Sequence, residues 1–429
     1  SIINMLYDQA GEDVRDLVDT MEEDESFVIE DMEETADLLD DASDAPVIRL
    51  VNQMISQAAK AGASDIHIEP FQDVLKVRYR IDGILYEMLN PPKALQSALI
   101  SRVKVMARMN IAEKRLPQDG RAQVRVGNHE TDLRISTVPT TFGERLVMRL
   151  LNKSGYFMAF SEFGLTQENQ DLIHQIIRQN HGIVLVTGPT GSGKTTTLYA
   201  GLSEINSPDK SIITIEDPVE YNLQGIGQIP VNQKTGVTFA RGLRSVVRQD
   251  PDVILIGEIR DIETAEIAIQ SALTGHLVFS TLHTNDAAGA VTRLVDLGVE
   301  PYLIASSVNH VIAQRLVRVL CSHCKKPYEL TDADIQSLNG MAEIGVGEMV
   351  FKPEGCAKCF NTGYLGRQAI MEIMVLDDEI QSLILTTSDA NQIKELALAK
   401  GMITLRRDGM RKVADGITSI REVLRVTQE

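Results

Sequence analysis

From Pro46 onward, apolar residues recur every three to four positions. Val47, Ile48, Leu50, Val51, Met54, Ile55, Ala58 and Ala59 make one helical stripe, with Pro46 suited to a first turn and Gly62 to the stop. The period then changes to two. Ile66 and Ile68 alternate, as do Leu75, Val77, Tyr79 and Ile81, and Asp82-Gly83 marks a hairpin before a strand over 84–88. A helix is expected over about 93–109, and a second hairpin joins 123–126 to 131–136 around Gly127-Asn128. Residues 46–152 thus predict one α+β domain, and 153–160 a linker. Beyond it, helices over 167–179, from Gly193, 239–248 and 263–272 alternate with strands over 183–187, 212–216, 253–256 and 277–281. Short apolar strands separated by helices predict a parallel sheet covered on both faces. After 281 the expectation is mainly helical, apart from a cysteine segment at 321–359.

The chain has 429 residues, 43% of them hydrophobic and 24% charged, which suits a soluble globular protein. At roughly 150 residues per domain this length allows about three domains. No apolar run approaches the ~20 residues that span a bilayer, and the start does not resemble a signal peptide. The first residue is Ser1 rather than Met, so a longer natural chain with a further N-terminal domain is expected. Net charge is −18, and residues 1–45 alone hold 17 Asp/Glu against one Arg, Arg15. That stretch predicts an acidic tether, with one short helix at Val14, Leu17, Val18 and Met21. The body is close to neutral, which argues against a general nucleic-acid binder, since that needs a basic face.

The segment Gly188, Pro189, Thr190, Gly191, Ser192, Gly193, Lys194, Thr195 fits GxxxxGK[ST] in full, with Thr196 following. An apolar strand enters it and a helical run leaves it. Glycines let backbone N–H groups turn onto phosphate oxygens, and the helix N-terminus adds its dipole. Lys194 would reach the β- and γ-phosphates and Thr195 would ligate Mg²⁺. Two neighbouring strands end in acids, 212–215 in Glu216-Asp217 and 253–256 in Gly257-Glu258. One acid should polarise the attacking water and one should serve the metal; the reading assigns Glu216 as general base and Glu258 to Mg²⁺. His276 and His283 flank a further strand. Both are expected at the ligand-binding carboxyl edge of the sheet, in phosphate sensing or subunit contact.

Taken together, the motifs resemble a family. GPTGSGKTT at 188–196, TIEDPVEY at 214–221, DPDVILIGEIRD at 250–261 and LTGHLVFSTLHTND at 273–286 resemble the Walker A, Asp, Walker B and His boxes of secretion and pilus-assembly ATPases. SDIHIEP at 64–70 and RLPQDGR at 115–121 look like the second N-terminal domain of the same type II/type IV secretion superfamily. The resemblance covers 46–429. It implies a RecA-like P-loop ATPase domain over 161–429, preceded by the smaller α+β domain. It also implies a homo-oligomer, a hexameric cytoplasmic motor on the inner face of a bacterial inner membrane. The motor would hydrolyse ATP with Mg²⁺ to drive pseudopilus assembly in type II secretion. The family's first N-terminal domain, which docks on the inner-membrane platform proteins, is expected to be missing from the sequence in hand. The family further implies arginines delivered to nucleotide across subunits; the matching positions are Arg134 and Arg149 in the first domain, with Arg260 after the Walker B strand. A type IV pilus-assembly ATPase and, in another class, a nucleotide-gated scaffold with negligible turnover are the alternatives.

Cys321 and Cys324, then Cys356 and Cys359, form two CxxC pairs separated by 31 residues. Each pair can bite one metal, and two bites complete a tetrahedral S₄ set, the chemistry of a closed structural zinc site. Zn²⁺ in a small lobe over 321–359 is expected, against disulfides or free thiols.

Overall fold

The computed structural model describes residues 46–126, 129–152, 158–332 and 347–428. The acidic stretch with its expected helix, the Gly127-Asn128 turn, positions 153–157 of the linker and the middle of the cysteine segment lie outside them. The chain divides into two compact units between Gly155 and Tyr156. Among the described residues no helix is long and apolar enough to cross a membrane.

In the first unit, α1 (Pro46–Lys60) buries Leu50, Val51, Met54, Ile55 and Ala58, the face that its 3.6-residue spacing dictates. Three strands follow, β1 (Ala63–Pro70), β2 (Leu75–Ile81) and β3 (Ile84–Leu89), then α2 (Gln96–Met106) and β4 (Gln118–Val126), β5 (His129–Thr140) and β6 (Gly143–Asn152). They build one antiparallel sheet of order β3-β2-β1-β6-β5-β4. Ile66, Ile68, Val77, Tyr79, Ile135, Leu146 and Met148 meet Leu99 and Val103 of α2 in its core. The other face is polar: Arg80, Asp65, Arg149, Arg134 and Arg121 stand opposite one another across five strands. The helix expected over 93–109 is shorter, because its first turn is 3₁₀ (Lys93–Leu95) and Arg108 turns left-handed at φ +55°. The sequence reading omits β6, although Leu146, Met148 and Leu150 alternate there with Arg145, Val147 and Arg149.

The second unit carries α3 (Gln167–Ile176), β7 (Gly182–Thr187), α4 (Lys194–Ile205), β8 (Ile212–Glu216), β9 (Gly227–Pro230), α5 (Phe239–Val246) and β10 (Val253–Ile256). Next come α6 (Ile262–Leu273), β11 (Leu277–Leu282), α7 (Ala288–Asp296), α8 (Pro301–Ser307) and β12 (Val308–Leu320). A two-stranded ribbon, β13 (Lys326–Glu329) and β14 (Met349–Lys352), precedes β15 (Tyr364–Val375). The chain closes on α9 (Asp378–Ile384), α10 (Ala390–Ala399), α11 (Leu405–Ala414) and α12 (Ile420–Thr427).

The main sheet has the order β15-β12-β7-β11-β10-β8-β9. All its pairings are parallel except that of β12 with β15. Alternate side chains of one strand serve two cores. Val184 and Val186 pack with Ile173, Leu198 and Leu202 of α3 and α4; Ile183 and Leu185 pack with Ala265, Ile269 and Val291 of α6 and α7. Burial on both faces explains why the parallel strands read as unbroken apolar runs. The mainly helical expectation after 281 is corrected here: β12 and β15 are the two longest strands of this unit. Gln314, Arg315 and Arg318 interrupt the apolar run of β12 and mimic the polar face of a helix.

Candidate nucleotide site and cysteine cluster

The loop 188–193 leaves the carboxyl end of β7 and opens α4, and it lies tightly against β12. Gly188 has φ +150°, and a Cβ there would sit 2.5 Å from the Gln314 carbonyl oxygen; a Cβ on Gly193, at φ +89°, would sit 2.7 Å from Gln314 Nε2. Glycine alone permits both the dihedrals and the approach. Gln314 also clamps the loop directly. Its Nε2 donates to the Ser192 carbonyl at 2.9 Å, and its Oε1 accepts from Thr197 Oγ1 at 2.6 Å.

Lys194 is the first residue of α4, and its Nζ donates to the carbonyls of Gly188 at 2.7 Å and Pro189 at 3.2 Å. Burial, with a smaller push from Arg315 and against the pull of Glu258, brings its ammonium down to about 8. Ser192 Oγ is buried without a hydrogen-bond partner, and a Cβ on Gly191 would meet nothing within 4 Å. Pro189, Thr190 and Thr195 are exposed and Thr196 is half-buried. A helix N-terminus, an unsatisfied hydroxyl and open space beside them suit the phosphate oxygens of a nucleotide.

Both acids stand at the carboxyl edge of the sheet, because β8 and β10 run parallel with Ile215 opposite Ile256. Their surroundings differ. Glu258 lies within electrostatic reach of Lys194. Its Oε1 pairs with Arg260 Nη2 at 2.5 Å and its Oε2 lies 3.7 Å from His283 Nε2. Burial, then the Lys194 charge, lowers the imidazolium of His283. Glu216 is 4% exposed and accepts hydrogen bonds from Tyr199, Thr214 and Gln228.

His276 does not join this group. It precedes β11, at the amino edge of the parallel sheet, about 20 Å of strand from His283. Its Nδ1 lies 2.8 Å from the Ser271 carbonyl, and its own carbonyl accepts from Gly182 N at 3.1 Å. The expectation that both histidines share the ligand edge is therefore corrected: one strand cannot present both of its ends at the same edge. Arg134 and Arg149 belong to the first unit, where Arg149 Nε donates to Asp65 Oδ1 at 2.8 Å and its side chain is 59% exposed.

Sequence reasoning missed Gln314, Arg315, Tyr199 and Gln228. Arg315 is buried beside the phosphate loop, and its Nη2 donates to the Asn285 carbonyl at 2.9 Å. The available signal was a Gln-Arg pair inside an otherwise apolar run, costly unless each polar group finds a partner.

The four cysteine sulfurs lie within 4.8 Å of one another. Cys321 and Cys356 are 3.9 Å apart, and Cys324 to Cys359 and Cys356 to Cys359 are both 3.8 Å. A tetrahedral ZnS₄ centre with bonds of about 2.3 Å has S···S edges of about 3.8 Å, so the donor set fits zinc. Burial works against the thiolate of Cys359. The N–H groups of Cys356 and Gly363, each 3.2 Å from its sulfur, outweigh that and draw the thiol down to about 7.

Known proteins resemble this chain over nearly its whole length. Type II secretion system protein E of Aeromonas hydrophila is 51% identical over 425 residues, covering 99% of this chain and 84% of that protein. Type II secretion system ATPase E of Vibrio cholerae is 49% identical over 432 residues, covering 100% and 85%. The crystal structure of the pilus retraction motor PilT with bound ADP superposes with a TM-score of 0.56 at 25% identity, covering 88% of this chain and 96% of that one. The model of the family described as type II/IV secretion system protein matches residues 40–425. The chain belongs to that family.

Proposed function

We propose that this chain is an ATP hydrolase acting as a hexameric ring on the cytoplasmic face of the bacterial inner membrane, where it drives pseudopilus assembly for type II secretion. The observation that carries the reading is the complete phosphate loop, braced by β12, with Lys194 in reach of Glu258 at the sheet's carboxyl edge. Relatives of about half identity that bear the name of a type II secretion protein or ATPase support the pathway. Residues 161–429 serve as the ATPase domain, 46–152 as an arm and 153–160 as the linker between them.

Each group has a role. Lys194 binds the β- and γ-phosphates, with the loop 188–193 and Thr196 around them. Thr195 and Glu258 would hold Mg²⁺, which neutralises charge on the transferring phosphoryl group. Glu216 is the general base toward water. Arg260 and His283 flank Glu258 and complete the polar wall, and Arg134 and Arg149 are supplied to a neighbouring copy's nucleotide. Cys321, Cys324, Cys356 and Cys359 would hold Zn²⁺ as a structural closure. Inner-membrane platform proteins are the proposed docking partners of the ring.

Steady-state phosphate release with Mg-ATP tests the reading. Wild-type protein should release many phosphates per chain, and Lys194→Ala should release none above background while keeping its circular dichroism. Release that stops at about one phosphate per chain would replace the motor with a scaffold.

A further inference from the structure

Three donors from three elements converge on one buried carboxylate. Thr214, on β8, donates from Oγ1 to Glu216 Oε1 at 2.5 Å. Gln228, on β9, donates from Nε2 to the same oxygen at 3.2 Å. The Tyr199 hydroxyl, on α4, donates to Oε2. Two of the donors are themselves fixed. Gln228 Oε1 accepts from Leu223 N at 2.6 Å and its Nε2 also donates to the Tyr221 carbonyl at 3.2 Å. The Tyr199 ring is 1% exposed and meets Tyr221 edge-on, with centroids 4.7 Å apart.

Tyr199 stands on the helix that Lys194 begins, five residues further along. One rigid element therefore carries both the phosphate-binding lysine and the hydroxyl that holds Glu216 Oε2. A glutamate side chain has three rotatable bonds, whereas a general base must lie within about 2.6–3.2 Å of the proton it takes. We infer that Tyr199, assisted by Thr214 and Gln228, is a positioning residue that fixes the direction of the Glu216 carboxylate relative to the phosphate loop. This inference rests on the reading of Glu216 as general base. It adds that the base and the phosphate lysine take their geometry from the same helix. A purely structural role, in which the donors only satisfy a buried charge, predicts lost stability without a selective loss of turnover.

The experiment compares Tyr199→Phe, Thr214→Val and Glu216→Gln with wild type. It measures kcat and KM for Mg-ATP, ADP affinity and thermal midpoint. Tyr199→Phe keeps the ring and its contact with Tyr221, and Thr214→Val keeps the shape at a buried strand position, so each can answer if the other misfolds. Glu216→Gln should lose at least about a hundredfold in kcat, as expected for a lost general base, with ADP affinity kept. Tyr199→Phe should lose about tenfold to a hundredfold in kcat, the scale of a misplaced catalytic group. Its KM, ADP affinity and midpoint should stay near wild type, and Thr214→Val should move in the same direction. If Glu216→Gln is inactive while both variants keep or raise kcat, or lose only KM or stability, the positioning role is overturned and the base stands. If Glu216→Gln turns over like wild type, both fall.

Discussion

Lys194 rests on the carbonyls of its own loop, where burial brings its ammonium down to about 8. Phosphate attracts only the charged form, so the sign of the pH dependence is fixed. Below about pH 7 the lysine is charged and affinity is level; as pH rises through 8 the unliganded lysine loses its proton and affinity falls, by up to about tenfold per unit. Calorimetric titration with ADP from pH 6.5 to 9.5 should show this fall, and Lys194→Arg, whose guanidinium stays charged, should flatten it. A flat wild-type profile would remove Lys194 from the phosphate contact. The loop itself was legible in sequence because its spacing is its chemistry: glycines for the turn, lysine and threonine at the helix start. Gln314 was not. Its place beside Ser192 follows from the pairing of Ala313 with Thr187 across β12 and β7, which no linear spacing reports. His276 failed for the related reason that adjacency in sequence to a strand does not say which end faces the ligand.

At the scale of elements, β12 joins the phosphate loop to the cysteine lobe, since Gln314 touches Ser192 and Cys321 follows the strand directly. Between them Arg318 pairs with Glu422 of α12 at 2.7 Å and stacks 3.9 Å from the Tyr364 ring centre. Burial alone would raise the Glu422 carboxyl, but hydrogen bonds from Arg425 and Arg318 outweigh it and hold it down at about 2, against an ordinary 4.5. A depressed carboxyl stabilises the fold above its unfolded value. That stability is lost as pH falls from about 4.5 through 2. Glu422→Gln removes the charge that the buried Arg318 guanidinium pairs with and should cost roughly 1–3 kcal/mol at neutral pH, with a flatter dependence of stability on pH in that acid window. Urea melts of both proteins at pH 7 and in the acid window check this; equal slopes would deny the pair its role. The lobe makes a separate prediction. Purified protein should carry about one zinc per chain, and the Cys324→Ser, Cys356→Ser double variant should lose it by atomic emission; full retention would exclude the four-thiolate site. Buried βα strands could be read from apolar runs bounded by helices. β12 could not, because Gln314 and Arg318 serve the phosphate loop and α12; nor could β15, whose Gln368 and Glu372 accept from Lys412 and Ala287 N; and β9 is too short and polar to register.

For the whole molecule, charge and motif order carry most of what the sequence says. The excess of negative charge lies before Pro46, leaving a near-neutral body with an α+β unit and a parallel-sheet unit. The family is legible in four motifs in order; hydrolysis by Lys194, Glu216 and Glu258, and a ring in which Arg134 and Arg149 serve a neighbour's site, are the proposals to be tested at this scale. Arginines supplied across a boundary can be worth roughly 10³–10⁵ in rate, so a lone chain should be nearly inert. The most direct test is phosphate release from Mg-ATP followed against protein concentration, for wild type and Lys194→Ala side by side. Specific activity of the wild type should climb as chains assemble, while Lys194→Ala stays at background throughout. Wild-type turnover independent of concentration would contradict the shared site, and turnover by Lys194→Ala near that of wild type would contradict the phosphate loop itself.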